Sequence, residues 1–172
     1  MTKLTTLVLG GINSGKSTFA ESLLTSRSGT PYYIATSTIL DDETAQKVQV
    51  HQSMRGQNWH TIEEPVELAH ALSGIPSGSF VLIDCLTMWL NNLMFHEHDI
   101  DAYTDTMFSA LDRSDLNVTF VSNEVGLGGI SENALTRKFA RSQGSLNQSV
   151  AAYADRVAFI AAGLPIWLKG AP

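Results

Sequence analysis

Eight consecutive residues, 10–17, carry the residue types that hold a triphosphate. They match the pattern of Gly, four residues, then Gly-Lys-Ser/Thr. The glycines let successive backbone N–H groups turn inward around an anion, and a following helix adds the positive end of its dipole. We expect Lys16 to face solvent and reach the β- and γ-phosphates, and the Ser17 hydroxyl to ligate Mg²⁺. The predicted phosphate loop comprises Gly10, Gly11, Ile12, Asn13, Ser14, Gly15, Lys16 and Ser17.

A phosphate loop of this kind needs a buried strand before it and a helix after it. Residues 4–9 are apolar and β-favouring, as expected for a buried strand. Residues 16–25 can form a helix that buries Phe19 and Leu23, which lie four positions apart. The alternative is a glycine-rich turn without a ligand, but the order of strand, turn and helix favours a nucleoside triphosphate site.

Other polar residues follow predicted strands, at the edge where open parallel sheets bind their ligands. Residues 80–83 are apolar and lead to Asp84, as in the strand that carries the second magnesium ligand of P-loop enzymes. Residues 36–38 and 122–129 also follow apolar runs. We therefore expect Asp84 to lie beside the phosphate loop and to share a Mg²⁺ ion with Ser17.

A predicted helix over residues 41–55 has a basic face. Lys47, His51 and Arg55 recur every four residues, so they share one side of the helix. A histidine held neutral between two cations can act as a nucleophile or a base, and the same cations would attract a polyphosphate. The spacing is more often that of a solvated basic helix face, so both interpretations stay open at this point.

After residue 130 we expect two helices and a hairpin. Ser131 would cap the first helix, which turns Leu135 to the core and ends at Gly144. A second helix and a two-stranded hairpin would follow. The alternation of strands and helices, without a linker or repeat, predicts one α/β domain over residues 1–172, with a mainly parallel sheet flanked by helices.

Composition limits the partners and the compartment. A formal net charge of −6, without a basic stripe, argues against a nucleic-acid partner. The first residues show no signal-peptide pattern, and the most apolar stretch, 157–168, is too short to span a bilayer. The single cysteine, Cys85, excludes an internal disulfide and suits a reducing cytoplasm, and it is expected to be an inert core thiol.

Several motifs occur in order along nearly the whole chain, and together they carry a resemblance. His51 lies in a Lys-Val-x-x-His segment. The other motifs are residues 10–17, Tyr-Ile-Ala-Thr-Ser at 33–37, Trp-x-Thr-Ile-Glu-Glu-Pro at 59–65, Asp-Cys-Leu-Thr-Met-Trp-Leu at 84–90, Ser-Asn-Glu-Val-Gly-Leu-Gly at 122–128, Glu-Asn-Ala-Leu at 132–135, Asn147-Gln148, and Ala-Gly-Leu-Pro at 162–165. The set resembles the bifunctional adenosylcobinamide kinase/adenosylcobinamide-phosphate guanylyltransferase family of cobalamin biosynthesis.

The resemblance implies a RecA-like P-loop fold, a cytoplasmic location and a homotrimer. It implies that ATP or GTP, with Mg²⁺, phosphorylates the aminopropanol hydroxyl of adenosylcobinamide. GMP from GTP then passes through a guanylyl-histidine at His51 to that phosphate, a role that suits imidazole because it is both a good nucleophile and a good leaving group. The resemblance also implies nucleotide contacts, with the Glu63 carboxylate placed to accept hydrogen bonds from guanine. These contacts are Ala35, Thr36, Ser37, Gln52, Ser53, Met54, Arg55, Glu63 and Asp84.

The chain departs from the family pattern at two places. Family members often carry basic residues or histidines directly before the nucleophile, where this chain has Val50, and an Arg-Asp pair where it has Ala140 and Arg141. Two other functions are compatible with the phosphate loop. One is a simple P-loop kinase of small molecules in which His51 is structural, and the other is a nucleotide-dependent binding module with slow hydrolysis.

Overall fold

The computed structural model describes residues 3–25, 31–37 and 59–170. The strands in these ranges are β1 Thr5–Gly10, β2 Pro31–Ala35, β3 His60–Glu63, β4 Phe80–Asp84, β5 Asn117–Asn123, β6 Arg156–Ala161 and β7 Leu164–Lys169. The helices are α1 Lys16–Thr25, α2 Leu68–Ser73, α3 Leu86–Phe95, α4 Ile100–Asp112 and α5 Ala134–Tyr153. The helix predicted over residues 41–55, with its basic face, lies outside the described residues.

The described strands form one sheet in the order β3-β2-β4-β5-β1-β6-β7. Neighbouring strands pair in parallel, except β6 and β7, which form an antiparallel hairpin. Parallel pairing brings the carboxyl ends of β1 to β6 to one edge of the sheet, which we call the carboxyl edge. The α/β class and the mainly parallel sheet predicted from the sequence are confirmed.

The sheet is covered on both faces because its central strands are apolar at successive positions. In β1, Leu7 packs into the larger core cluster together with Trp89 of α3 and Val150 of α5. The next residue, Val8, packs on the opposite face with Ala20 of α1. This alternation of side chains holds β1 between two helical layers. The phosphate loop therefore begins from one of the most buried strands of the protein.

Helix α5 differs from the sequence prediction because it does not stop at Gly144. It runs unbroken over Ala134–Tyr153. Leu146 and Val150, on the far side of the glycine, are buried in the core. Their burial outweighs the roughly 1 kcal/mol that a glycine costs in the middle of a helix. Burial in the core thus continues the helix past Gly144, where local propensity would end it.

The start of α5 was also predicted wrongly. Asn133, and not Ser131, caps the helix, and its side chain accepts a hydrogen bond from the Thr136 N–H at 3.1 Å. Leu135 was expected in the core, but it lies in the first turn of the helix and is exposed. Ala134 and Thr136, on either side of Leu135, are exposed as well, so this turn lies outside the core.

The predicted closing hairpin is confirmed. Ala162 and Gly163 form its turn, both with positive φ, at 52° and 79°. Among the helices of the described part of the chain, none combines the length and the apolar character needed to cross a bilayer.

Candidate nucleotide site

The phosphate loop connects the end of β1 to the start of α1, and close packing explains its two pattern glycines. A Cβ at Gly10 would lie 2.6 Å from the Ile160 carbonyl oxygen and 2.6 Å from Ser14 Oγ. Gly15 has a φ of +94°, and a Cβ there would lie 3.2 Å from Cα of Gly163. Larger residues at these two positions would therefore push the loop away from β6 and from the β6–β7 turn.

Two backbone hydrogen bonds hold the phosphate loop from opposite sides. The Gly163 N–H, in the β6–β7 turn, donates to the Ser14 carbonyl at 2.9 Å. The Glu124 N–H, after β5, donates to the Gly10 carbonyl at 3.0 Å. Ser14 Oγ is buried and has no hydrogen-bond partner among the described residues. The loop is thus preorganised by its neighbours, as an anion nest requires, and it retains an unused hydroxyl.

The motif predicted that Lys16 faces solvent, and this prediction is wrong. Its side chain is only 7% exposed, and its Nζ donates to the Gly11 carbonyl oxygen at 2.6 Å. Burial lowers the pKa of Lys16, and the nearby Cys85 and Asp84 act in the opposite direction. The loop folds over its own lysine, so the ammonium is already inside the site. A phosphate oxygen would offer this ammonium a charged and therefore stronger acceptor than a carbonyl.

Asp84 ends β4, and β5 lies between β4 and β1. The carboxylate is nevertheless close enough to influence Lys16, and its Oδ2 accepts a hydrogen bond from the Tyr33 hydroxyl at 3.2 Å. The described residues contain no group of three or more His, Cys, Asp or Glu side chains that could hold a metal ion by itself. Mg²⁺ on a nucleotide needs only one or two protein oxygens, because phosphates and water complete its shell. A hydroxyl from Ser17 and a carboxylate from Asp84 would supply oxygens of this kind, and that pairing stays a prediction.

Thr36 is fully buried, and its polar groups have protein partners. Its hydroxyl donates to the Cys85 carbonyl at 2.7 Å and accepts from the Cys85 N–H at 2.8 Å. Its N–H donates to the Asp84 carbonyl at 3.2 Å, and its carbonyl accepts from the Asn92 amide at 2.8 Å. These contacts position the end of β4. A direct contact between Thr36 and nucleotide stays a prediction.

Three of the predicted nucleotide contacts lie in one row at the carboxyl edge. Glu63 of β3 is the register partner of Ala35 of β2, and Ala35 is also the partner of Asp84 of β4. Glu63 is exposed, so its carboxylate is available to a ligand. Ser37 follows β2 and is half-buried. The predicted contacts His51, Gln52, Ser53, Met54 and Arg55 lie outside the described residues.

Sequence reasoning missed several residues that position the site. The Thr87 hydroxyl accepts from the Asn123 N–H at 2.9 Å and so joins α3 to the end of β5. Asn92 is a polar residue on the buried face of α3, three positions after Trp89, and that pattern could have revealed it. The roles of Tyr33 and Gly163 left no local signal, because their partners are distant in the sequence.

Cys85, expected to be an inert core thiol, is half-buried against the smaller core cluster, and its pKa is that of an unreactive thiol. Burial, and to a smaller degree the charge of Asp84, raises the pKa of Cys85 to about 11. The thiolate is the reactive form of cysteine, and at neutral pH a thiol with this pKa is almost entirely protonated.

Known proteins are similar to this chain over almost its whole length. The bifunctional adenosylcobalamin biosynthesis protein CobP of Pseudomonas aeruginosa is 38% identical over 169 residues, which cover 96% of this chain and 98% of the relative. CobU of Escherichia coli, which has the same description, is 36% identical over 181 residues, covering 95% and 98%. CobU of Salmonella typhimurium is 35% identical over 179 residues, again covering 95% and 98%.

A solved structure supports the fold alone. An ATPase from the type III secretion system of pathogenic bacteria superposes with a TM-score of 0.55 at 12% identity, and this chain spans 95% of its own length and 56% of the ATPase chain. The likeness confirms the RecA-like P-loop fold. The family model described as cobinamide kinase/cobinamide phosphate guanyltransferase matches residues 6–168. With that match and three relatives aligned over almost their full lengths, the chain belongs to the cobinamide kinase/cobinamide phosphate guanyltransferase family.

Proposed function

We propose that this protein carries out two successive transfers on a corrinoid in adenosylcobalamin biosynthesis. It phosphorylates the hydroxyl of adenosylcobinamide with ATP or GTP, and it then attaches GMP from GTP to the new phosphate. The products are adenosylcobinamide-GDP and pyrophosphate. The observation that carries the proposal is the match to the family over residues 6–168, in a chain whose phosphate loop is folded and held at the carboxyl edge.

The first transfer needs positioning and charge stabilisation more than covalent chemistry from the protein. The acceptor hydroxyl oxygen bonds to the γ-phosphorus and loses its proton to solvent. The bond from that phosphorus to the β–γ bridging oxygen breaks, and the nucleoside diphosphate leaves. The backbone N–H groups of the phosphate loop and the ammonium of Lys16 hold the phosphates. Ser17 and Asp84 would hold Mg²⁺, which would neutralise part of the phosphate charge.

The second transfer uses His51 as a nucleophile. Its imidazole nitrogen bonds to the α-phosphorus of GTP, and the bond to the α–β bridging oxygen breaks to release pyrophosphate. An oxygen of adenosylcobinamide phosphate then attacks the same phosphorus, and the N–P bond breaks to regenerate the histidine. We propose that Glu63 reads guanine during this step, since its exposed carboxylate can accept hydrogen bonds from N1–H and N2–H₂.

Labelled GTP tests the proposal and separates it from its alternatives. With α-³²P-GTP, the denatured protein should retain label in an acid-labile, base-stable bond, as expected for phosphoramidate. With γ-³²P-GTP and adenosylcobinamide, label should pass to the corrinoid. Label on the corrinoid without label on the protein would indicate a simple kinase. Neither label would indicate a nucleotide-binding module.

A pair of variants assigns the nucleophile. His51→Ala should lose the covalent α-label and the guanylyl transfer, while the direct phosphoryl transfer continues because it uses the phosphate loop. His70→Ala is the matched control, since His70 is an exposed histidine on α2. Retention of the acid-labile adduct in His51→Ala would place the nucleophile elsewhere.

Family resemblance also motivates two proposals about the state of the protein in the cell. We expect a homotrimer in the cytoplasm. Light scattering of the purified protein tests the trimer, because a mass of one or two chains contradicts it. Cell fractionation tests the location.

A further inference from the structure

Large apolar side chains are exposed on the phosphate loop, on the loop that follows β5 and on the first turn of α5. Ile12 is 88% exposed, Leu127 79%, Ile130 91% and Leu135 68%. We call these four residues the apolar rim. Apolar side chains that are exposed close together mark binding sites more often than single exposed ones do.

The apolar rim lies beside the triphosphate site. Ile12 belongs to the phosphate loop itself. The loop carrying Leu127 and Ile130 starts next to it, because Gly10 and Asn123 are register partners and the Glu124 N–H donates to the Gly10 carbonyl at 3.0 Å. A ligand resting on the rim is therefore adjacent to the phosphates.

The loop after β5 is held in shape by its own contacts. The Gly126 N–H donates to the Glu124 carboxylate at 2.5 Å. Arg137 of α5 donates from Nη1 to the carbonyls of Ser131 at 3.0 Å and Glu132 at 2.7 Å. The two hydrogen bonds of Arg137 join the end of the loop to the first turns of α5. The start and the end of the loop are therefore fixed, on either side of Leu127 and Ile130.

We propose that the apolar rim is the docking surface for the corrinoid acceptor, an inference that rests on the proposed function. The acceptor hydroxyl must come within about 3–3.5 Å of the γ-phosphorus, so the attached macrocycle must lie next to the phosphate loop. A corrin macrocycle is broad and has extensive hydrocarbon surface. The rim provides an apolar surface at that place, and burying it against the macrocycle contributes affinity.

The position of the rim favours the acceptor over the nucleobase. Glu63, the predicted guanine contact, lies on β3, and β2 and β4 separate it from β5. The rim extends from β1 and β5 instead. The edge strand β3 and the central strands β5 and β1 therefore suit different substrates, with carboxylate chemistry at β3 and apolar contact at β5 and β1.

Steady-state kinetics with adenosylcobinamide test the inference. Leu127→Ser and Ile130→Ser should each raise the KM for adenosylcobinamide about tenfold, as expected from the loss of a buried apolar side chain. The KM for the nucleotide should not change. Both side chains are exposed, so neither variant is expected to impair folding.

Leu168→Ser is the matched control. Leu168 is also an exposed leucine, at 62%, but it lies near the far end of β7, beside the amino end of β6. It should leave the KM for adenosylcobinamide unchanged. An equal rise in this control and in the rim variants would overturn the proposal, because the effect would then be a general one.

The outcomes keep this inference separate from the proposed function. A wild-type protein without adenosylcobinamide-dependent turnover contradicts the proposed function itself. An active wild type whose rim variants keep their KM for adenosylcobinamide overturns only the docking surface. A parallel rise in nucleotide KM assigns the rim to the base. A loss of oligomer mass in light scattering, with the KM for adenosylcobinamide unchanged, assigns the rim to contact with a second copy of this chain. The rise in nucleotide KM and the loss of oligomer mass would each also overturn the inference.

Discussion

The phosphate loop and the loop after β5 are neighbours at the carboxyl edge, and both are rich in glycine, yet they are built in opposite ways. The phosphate loop turns its lysine inward, onto the Gly11 carbonyl, and is held by hydrogen bonds from Glu124 and Gly163. The loop after β5 directs Leu127 and Ile130 outward. A triphosphate is small and charged, so a fixed cage of donors recognises it, whereas a large organic acceptor needs an accessible apolar surface.

The largest effect is expected from Lys16→Ala, which removes the cation from the inward-facing loop. Both transfers should fall by about 10³-fold, since the phosphates lose their nearest charge partner. The unfolding midpoint should stay the same or rise. Burial lowers the pKa of Lys16 in the folded protein, so the unfolded chain binds this proton more tightly. Folding with Lys16 ionised therefore costs free energy, and this cost is fully present at pH values below the lowered pKa.

Turnover of both steps and thermal unfolding check this prediction, with Lys138→Ala as the control. Lys138 is an exposed lysine on α5. Near-normal turnover in Lys16→Ala would remove the phosphate loop from the mechanism. A fall in turnover that accompanies loss of folding would instead indicate a structural lysine.

A second prediction compares thiol reactivity in the loop after β5 and at Cys85, which lies near the inward-facing Lys16. In Leu127→Cys, iodoacetamide at pH 8 should modify residue 127 on the order of 100-fold faster than Cys85, because an exposed thiol has a pKa near 8.5. Burial raises the pKa of Cys85 to about 11, so its rate should rise about tenfold for each pH unit up to that value.

Mass spectrometry of the two cysteine peptides over a pH series measures these rates. The slope at residue 127 should flatten above pH 9, while the slope at Cys85 should not. Similar rates at both positions would mean that the region beside Asp84 is as open as the loop after β5, which removes the contrast between them.

The smallest of these effects is expected from loosening the support of the phosphate loop. Gly163→Ala places a side chain at a φ of +79°, which costs about 1–2 kcal/mol of backbone strain. Because the Gly163 N–H holds the Ser14 carbonyl, we expect about a tenfold rise in the KM for nucleotide, with a smaller change in kcat.

Gly78→Ala is a closely matched control. Gly78 also has a φ of +79° and open space around its Cα, but its N–H donates to the Asp115 carbonyl, away from the phosphate loop. The two variants should lose similar stability, and only Gly163→Ala should change the nucleotide KM. An equal effect on KM in both would show that strain alone, and not the contact with the loop, explains it.

Most elements were predictable from the sequence because their signals are local. The apolar runs of β1, β4 and β5 and the hairpin turn gave strand positions within one or two residues. The predictions that failed concern residues whose structure depends on partners distant in the sequence. Gly144 is a helix end by local propensity, but buried Leu146 and Val150 carry α5 past it. Leu135 fits an apolar helix face, but in the described part of the chain no element covers it.

In the candidate site, too, the sequence predicts the residues of a local motif but not those that act through distant contacts. The pattern of residues 10–17 predicts the phosphate loop, because its geometry is encoded by glycines and a lysine within a single turn. Thr36, Asn92 and Tyr33 position the end of β4 through contacts that no short motif encodes.

By itself the sequence determined the class of fold, the phosphate loop and the family, because periodicity and short motifs are properties of neighbouring residues. Only the tertiary structure decided that Lys16 is buried on the Gly11 carbonyl and that Asp84 reaches it across β5. It alone decided that the β6–β7 turn supports the phosphate loop and that the apolar rim lies beside it. The physical reason is that burial and electrostatic proximity depend on which strands the sheet places side by side, and strand order is not written in any local stretch of the chain.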